Sequence, residues 1–139
     1  MKHKRNILIP ALFILFTFVM FSCDPDTDPD DTTNAREKFT GSWTCVEESQ
    51  LTYTVVISPS STNENEILLA NFHTLGQNEQ AVGLIAGYSV TIAEQSMCSG
   101  DYLVKGNGLM SANEKNISFQ YVVTSGVSTD TVNATYTKQ

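Results

Sequence analysis

The chain has 139 residues and a formal net charge of −7 at pH 7, from 8 basic and 15 acidic side chains. This length is enough for one domain and excludes a multidomain architecture. So acidic a chain repels a phosphate backbone, and we therefore expect no nucleic-acid partner.

The N-terminus combines a basic start, residues 1–6, with an uncharged apolar run over residues 7–21. A helix over that run would span about 22 Å, which is short of the roughly 30 Å hydrocarbon core of a bilayer. The small residue Ser22 and then Cys23 follow directly. This order is typical of a secretory signal cleaved in front of a lipidated cysteine. We predict a signal peptide over residues 1–22 and a stable membrane anchor of acyl chains, such as palmitate, on Cys23.

The segment after Cys23 is acidic, and residues 24–31 hold five aspartates and two prolines. Because it offers no apolar side chain to bury, we predict that residues 23–35 form a disordered tether. Removal of the signal peptide takes away three basic residues and no acid, so the mature balance is 5 − 15 = −10. That charge opposes adhesion to anionic headgroups and leaves the lipid as the contact with the membrane.

Beyond the tether, residues 36–139 are predicted to form one all-β domain. A single helical turn over residues 34–39 comes first, and apolar and polar residues then alternate with period two. We predict about eight antiparallel strands forming a small up-and-down β-barrel, which leaves no free sheet edge. An open β-sandwich is the alternative. The predicted strands cover residues 43–47, 52–58, 66–72, 81–86, 88–92, 102–109, 117–124 and 131–137.

Two cysteines remain when Cys23 is lipidated. Cys45 and Cys98 are an even number in an oxidising compartment, which makes them a candidate disulfide. Two separate buried thiols are the alternative, because the sequence does not give the distance between the two residues.

The sequence contains no pattern of residues that indicates catalysis. His73 is the single histidine of the mature chain, and a lone histidine is more often a turn or surface residue than a base or ligand. Glu47 and Glu48 are adjacent on a strand, so they point to opposite faces and do not form a carboxylate pair. We predict no enzyme activity, no metal and no cofactor. The segment Gly106-Asn107-Gly108 is predicted to be a bend or bulge in a strand.

Five aromatic residues could line a ligand pocket: Tyr53, Phe72, Tyr88, Phe119 and Tyr121. They could equally fill the interior, since an eight-stranded barrel is just wide enough either to be filled or to hold one small ligand. For a domain of this size we favour the filled interior.

The start of the first strand, residues 39–44, contains a Gly-x-Trp step formed by Gly41 and Trp43. This step, after a short helical turn, resembles the start of lipocalins and related small calycin barrels. The resemblance implies that Trp43 is a structural plug at one end of the barrel and that Gly41 allows the tight turn before it. Lys138 is the only late candidate for the arginine that stacks on this tryptophan in the family. The domain is also shorter than a lipocalin, so any cavity would be small.

Residues 36–138 are also similar to a recurring lipocalin-like domain of Bacteroidota surface lipoproteins, through the segments 53–58, 71–72, 90–92 with Gln95, and 134–138. The acidic run after Cys23 resembles their surface-export signal. The resemblance implies an outer-membrane lipoprotein exposed at the cell surface. We predict that its barrel is a non-enzymatic binding or accessory module. Its partners would be the membrane, a small apolar or glycan ligand, or a surface protein. The alternative is a structural or assembly subunit of a surface complex.

Overall fold

Eight antiparallel strands close into a barrel in the computed structural model, which describes residues 30–139. Each strand pairs with its neighbour in sequence, and β1 pairs with β8 between Trp43↔Lys138 and Glu47↔Ala134. The prediction of an all-β up-and-down barrel is confirmed, and the open sandwich is not formed. The elements are α1 (Asp30–Phe39), β1 (Gly41–Glu47), β2 (Thr52–Pro59), β3 (Glu66–Ala70), β4 (Gln80–Ala86), β5 (Ser89–Met97), β6 (Tyr102–Met110), β7 (Asn116–Ser125) and β8 (Ser128–Lys138).

Helix α1 is longer than the predicted single turn. It begins at Asp30 and therefore includes residues 30–35 of the segment predicted as a disordered tether. Arg36 and Lys38 lie in its last turn, where positive charge complements the helix dipole. The predicted signal peptide, the lipidated Cys23 and the rest of the tether lie outside the described residues.

The barrel interior is filled by side chains from alternate positions of every strand. In β7, for example, Ile117, Phe119, Tyr121 and Val123 are all buried, while the residues between them face outward. Each large apolar side chain removed from water contributes about 1.5–3 kcal/mol, so this filling is the main stabilising term. The largest fully buried side chains are Trp43, Tyr121, Tyr136, Phe39, Phe72, Ile57, Ile67, Leu69, Ile92, Ile117, Val55 and Val90.

The two ends of the barrel differ. The helix end, where β1 begins at Gly41 and β8 ends at Lys138, is covered by α1. At the loop end, where β1 ends at Glu47, the connection between β3 and β4 contains a 3₁₀ turn over Phe72–Thr74. The predicted strand 66–72 therefore ends two residues early, and Phe72 enters the core from this turn.

The seam between β4 and β5 is closed partly by strand pairing and partly by a side chain. Strands β4 and β5 pair over only three residue pairs, from Leu84↔Thr91 to Ala86↔Ser89, and the register of β5 shifts between Ile92 and Gln95. Across the gap, the Gln95 amide accepts a hydrogen bond from Val82 N and donates one to Val82 O, both 2.8 Å long. The Gln95 amide thus supplies the two hydrogen bonds of a missing strand residue.

The predicted Cys45–Cys98 disulfide is wrong, since both residues are free thiols. Cys45 points into the barrel from β1, whereas Cys98 lies in a 3₁₀ turn at the end of β5, four strands away in either direction around the barrel. Burial raises the pKa of the Cys45 thiol to about 11, so this thiol stays protonated at neutral pH. The alternative of two separate thiols holds, although only Cys45 is fully buried.

Candidate functional site

The residues of the Gly-x-Trp step come together at the helix end. Trp43 is fully buried, and its indole Nε1 donates a 2.8 Å hydrogen bond to the carbonyl oxygen of Phe39. The Lys138 ammonium lies 5.3 Å from the centre of the indole ring and donates a 2.8 Å hydrogen bond to the carbonyl oxygen of Lys38. Gly41 has φ +131°, a conformation that side chains rarely allow. Lys138 thus lies where the resemblance implied an arginine.

Four of the five predicted pocket aromatics lie together inside the barrel. The ring of Phe72 lies 4.6 Å from that of Tyr121 and 6.5 Å from that of Phe119, measured between centroids. Tyr53 is half-buried and packs against this cluster. Tyr88 is different, because it is exposed near the helix end, where the Lys38 ammonium lies 4.7 Å from its ring centre. The four inward aromatic side chains therefore fill the part of the interior that a ligand pocket would have occupied.

A polar group that the sequence analysis did not predict lies at the loop end. We call Glu47, Tyr53, His73 and Tyr121 the Glu47 cluster. Glu47 Oε1 accepts 2.7 Å hydrogen bonds from the hydroxyls of Tyr53 and Tyr121, and it lies 3.1 Å from His73 Nδ1. The Glu47 side chain is only 4% exposed, against 25% for His73. Three strands and the β3–β4 connection therefore meet at one carboxylate oxygen.

The electrostatics of the cluster favour an ionised Glu47. Burial by itself would raise the pKa of this carboxyl, but the hydrogen bonds from Tyr121 and Tyr53 and the nearby His73 lower it below its usual value. Burial also raises the pKa of Tyr121 and of Tyr53, so both hydroxyls remain donors. A buried charge needs such partners, since an unpaired one would be strongly destabilising.

The chain adopts a strained conformation to deliver His73 to this cluster. Asn71, His73 and Thr74 all have positive φ, at 62°, 51° and 60°. The Asn71 side chain stabilises the turn, since its Nδ2 donates to Thr54 O at 2.9 Å and its Oδ1 accepts from Gly76 N at 3.1 Å. Left-handed non-glycine residues cost about 1–2 kcal/mol each, and so the contacts of the loop must compensate for them.

The hydrogen bonds of the Glu47 cluster suit a structural role at the loop end of the barrel better than they suit catalysis. Two tyrosine hydroxyls already donate to Glu47 Oε1, His73 Nδ1 lies 3.1 Å from it, and the Ser49 hydroxyl lies 3.3 Å from Oε2, so this carboxylate has little capacity left to take a proton from a substrate. The alternation of β1 could have predicted that Glu47 points into the barrel, because Trp43, Cys45 and Glu47 share one face of this strand. The predicted opposition of Glu47 and Glu48 is observed, with Glu48 exposed.

A second feature is an open groove of about 780 Å³ on the outer wall of the barrel. It crosses β5, β6, β7, β8 and β1, and we call it the outer groove. Outward side chains line it in two rows perpendicular to the strands, because register partners lie side by side. The row nearer the loop end is Glu48, Asn133, Gln120, Asn107 and Thr91, and the row nearer the helix end is Val46, Thr135, Ser118, Leu109 and Ser89.

Two inward-facing glycines allow a close approach of strands beside the outer groove. A Cβ at Gly108 would lie 2.6 Å from a ring carbon of Phe119 and 2.8 Å from a methyl of Val90. A Cβ at Gly106 would lie 2.6 Å from the carbonyl oxygen of Gln120. Without side chains at these two positions β6 lies close against its neighbours, and Asn107 between them points outward into the outer groove. The predicted bulge in this segment is not seen, because Gly106-Asn107-Gly108 pairs with β7 in regular register and the register shift lies in β5, between Ile92 and Gln95.

Comparison of the chain with protein-family models, with curated proteins and with solved structures finds no match. Within residues 30–139, no helix has the length and apolar character needed to cross a membrane. In the same part of the chain, no three histidine, cysteine, aspartate or glutamate side chains are grouped so that they could hold a metal ion.

Proposed function

We propose that the protein is a lipid-anchored cell-envelope lipoprotein whose barrel acts as a non-enzymatic binding or accessory module. The observation that carries the binding role is the combination of a filled interior with a concave outer wall. The cluster of buried side chains inside the barrel supports a partner that binds outside. The outer groove offers a shaped surface for this, whereas a flat strand wall does not.

The anchor is supported by the sequence around Cys23, and its test is direct. The full chain with Cys23→Ala should move from the membrane fraction to the soluble fraction, because its acyl chains are lost. The wild type should take up a radiolabelled or alkyne-tagged fatty acid, and the variant should not. A Cys23→Ala protein that remains in the membrane fraction would contradict the lipoprotein assignment. Cys98→Ala is the matched control and should stay anchored.

The binding role is tested with protein isolated from its own host. We expect native mass spectrometry of the detergent-extracted wild type to show a retained molecule. We expect Ser118→Trp, which places a large side chain in the outer groove, to lose it. Gln80→Trp changes an exposed residue of β4 and should leave the retained mass unchanged. A wild type that carries nothing in mild detergents would contradict the binding role.

A specific observation supports the alternative, a subunit of a surface assembly. Val82 and Leu84 are exposed apolar residues on the outer side of β4, and Leu68 of β3 pairs directly with Val82. These three residues form an apolar patch outside the groove. If the retained mass is a protein that is lost in Val82→Lys but kept in Ser118→Trp, the assembly role is the better assignment.

A further inference from the structure

We infer that the outer groove binds a neutral oligosaccharide, which would lie across the strands; this inference rests on the proposed binding function and names its ligand class. The centre of the groove is a row of three amides from neighbouring strands, Asn133, Gln120 and Asn107. Each amide can both donate and accept hydrogen bonds in one plane, as the vicinal hydroxyls of a sugar require.

The amide row is partly ordered before any ligand arrives. Gln120 Nε2 donates to Asn133 Oδ1 at 3.0 Å, and Asn133 Nδ2 donates to Glu48 Oε2 at 3.1 Å. This chain of bonds fixes the orientation of two amides and leaves Gln120 Oε1 as an acceptor. Across residues 30–139 no side chain bonds to the Asn107 amide, which therefore keeps its full hydrogen-bonding capacity for a ligand. Because these side chains are already ordered, they lose less conformational entropy when a ligand binds.

The second row supplies the apolar contact that a sugar ring also needs. Leu109 is 60% exposed and Val46 44% exposed, and they lie at separate points of the row with Ser118 and Thr135 between them. A pyranose ring presents C–H groups on its faces and hydroxyls on its edge. The groove thus pairs an apolar surface for the faces with an amide row for the edge.

The charge and size of the groove narrow the ligand class. Among the described residues that line it, Glu48 is the one charged side chain that points outward, since Glu47 points into the barrel. Because the predicted mature chain also carries a net charge of −10, an anionic glycan would be repelled. The amide centre argues against a protein, because protein interfaces place apolar and aromatic side chains at their core. Five strands at a spacing of about 4.8 Å make the row about 19 Å long, which suits an oligosaccharide better than a single sugar.

The test is affinity electrophoresis of the full chain in a nonionic detergent, in native gels that contain dextran, laminarin, mannan or xylan. We expect at least one of these neutral polysaccharides to retard the wild type, and polygalacturonate to have no effect. Gln120→Ala and Asn107→Ala should each weaken the retardation at least tenfold, and Ser118→Trp should abolish it. Gln80→Ala, which removes an amide from β4 outside the groove, is the matched control and should migrate like the wild type.

The outcomes separate this inference from the proposed function. If none of the four neutral polysaccharides retards the wild type, or if the groove variants are retarded like the wild type, the glycan inference is overturned. If in that case the host-derived protein still retains a partner that Ser118→Trp loses, the binding role stands and only the ligand class is wrong. If the wild type retains nothing at all, both the inference and the proposed function fail.

Discussion

At the scale of single residues, the most informative contrast is between two buried tyrosines. The hydroxyl of Tyr121 donates to the Glu47 carboxylate, whereas the hydroxyl of Tyr136 is buried next to the Cys45 thiol and has no oxygen or nitrogen partner in the described part of the chain. A hydrogen bond to a charged group contributes about 1.5–3 kcal/mol, while an unsatisfied buried hydroxyl is a cost to the fold. The substitution of phenylalanine should therefore destabilise the fold at Tyr121 but not at Tyr136.

We expect Tyr121→Phe to lower the free energy of unfolding by about 2 kcal/mol. We expect Tyr136→Phe to leave it unchanged or raise it by up to about 1 kcal/mol, because the change removes only an unpaired hydroxyl. Urea unfolding of both variants beside the wild type measures this. Equal losses in the two variants would show that Tyr136 has a partner, such as an ordered water molecule, and would contradict the prediction.

The Glu47 carboxylate gives stability a defined pH dependence. Its pKa in the folded protein lies below its usual value, which is about 4.3 in an unfolded chain. The folded state therefore binds this proton less tightly than the unfolded state. The resulting stability is fully present above about pH 5 and is lost as the pH falls through the folded pKa.

Glu47→Gln should remove this contribution. We expect the variant to be about 2 kcal/mol less stable at neutral pH, because a charged acceptor becomes a neutral one, and the difference should shrink as the pH falls below about 5. Urea unfolding at a series of pH values measures it. Glu48→Gln, one residue along on the outer face, is the control and should run parallel to the wild type. A constant gap between Glu47→Gln and the wild type would contradict the lowered pKa.

At the scale of elements, the β4–β5 seam depends on one amide. Removal of the Gln95 side chain leaves the N–H and C=O of Val82 without their partners, while the strand pairs Leu84–Ala86 with Ser89–Thr91 remain. We expect Gln95→Ala to speed amide hydrogen exchange at Val82 at least tenfold and to cost about 1–2 kcal/mol. Gln80→Ala on the same strand is the control. Unchanged exchange at Val82 would show that the seam is closed by other contacts.

The inward glycines of β6 lead to a second prediction at this scale. An alanine at Gly106 would meet backbone atoms of β7, which cannot rotate away, whereas at Gly108 it would meet the side chains of Phe119 and Val90. We expect Gly106→Ala to be the more damaging change, at about 3 kcal/mol, and Gly108→Ala to cost about 1–3 kcal/mol. Gly126→Ala, where nothing lies within 4 Å but φ is +60°, should cost only about 1 kcal/mol. Thermal unfolding ranks the three, and a different order would contradict the close approach of β6 and β7.

The elements themselves follow closely from the sequence, because period-two alternation and turn residues are local signals. The strand β7 is an example, since its four buried residues alternate with outward-facing ones, most of which are polar. The Glu47 cluster could not be predicted in this way, because Glu47 and His73 are 26 residues apart and meet only when the barrel closes. The absence of the Cys45–Cys98 bridge has the same cause. Pairing depends on which strands lie opposite each other, and that is a property of the closed barrel.

At the scale of the whole molecule, closure joins the two ends of the domain. Strand β8 pairs with β7 over residues 128–137 and with β1 over residues 134–138, and the C-terminal Gln139 donates to the hydroxyls of Thr44 and Thr54 at 3.0 and 3.3 Å. Because every strand of the closed barrel pairs with two neighbours, no strand can detach without breaking two sets of interstrand hydrogen bonds. Local opening should therefore be confined to loops and the β4–β5 seam, and the barrel should unfold as one unit.

Trp43 reports on this cooperativity, because it is the only tryptophan of the chain and lies buried at the helix end. We expect its fluorescence and the far-ultraviolet circular dichroism of the strands to change at the same urea concentration, as two-state unfolding requires. Lys138→Ala should shift both transitions together, by about 1 kcal/mol, since it removes the cation from the indole face and the bond to Lys38 O. Lys138→Arg keeps the charge near the ring and should recover most of the loss. If the fluorescence changed first, the helix end would open independently of the barrel, and closure would then not couple β1 to β8 in the way that their pairing indicates.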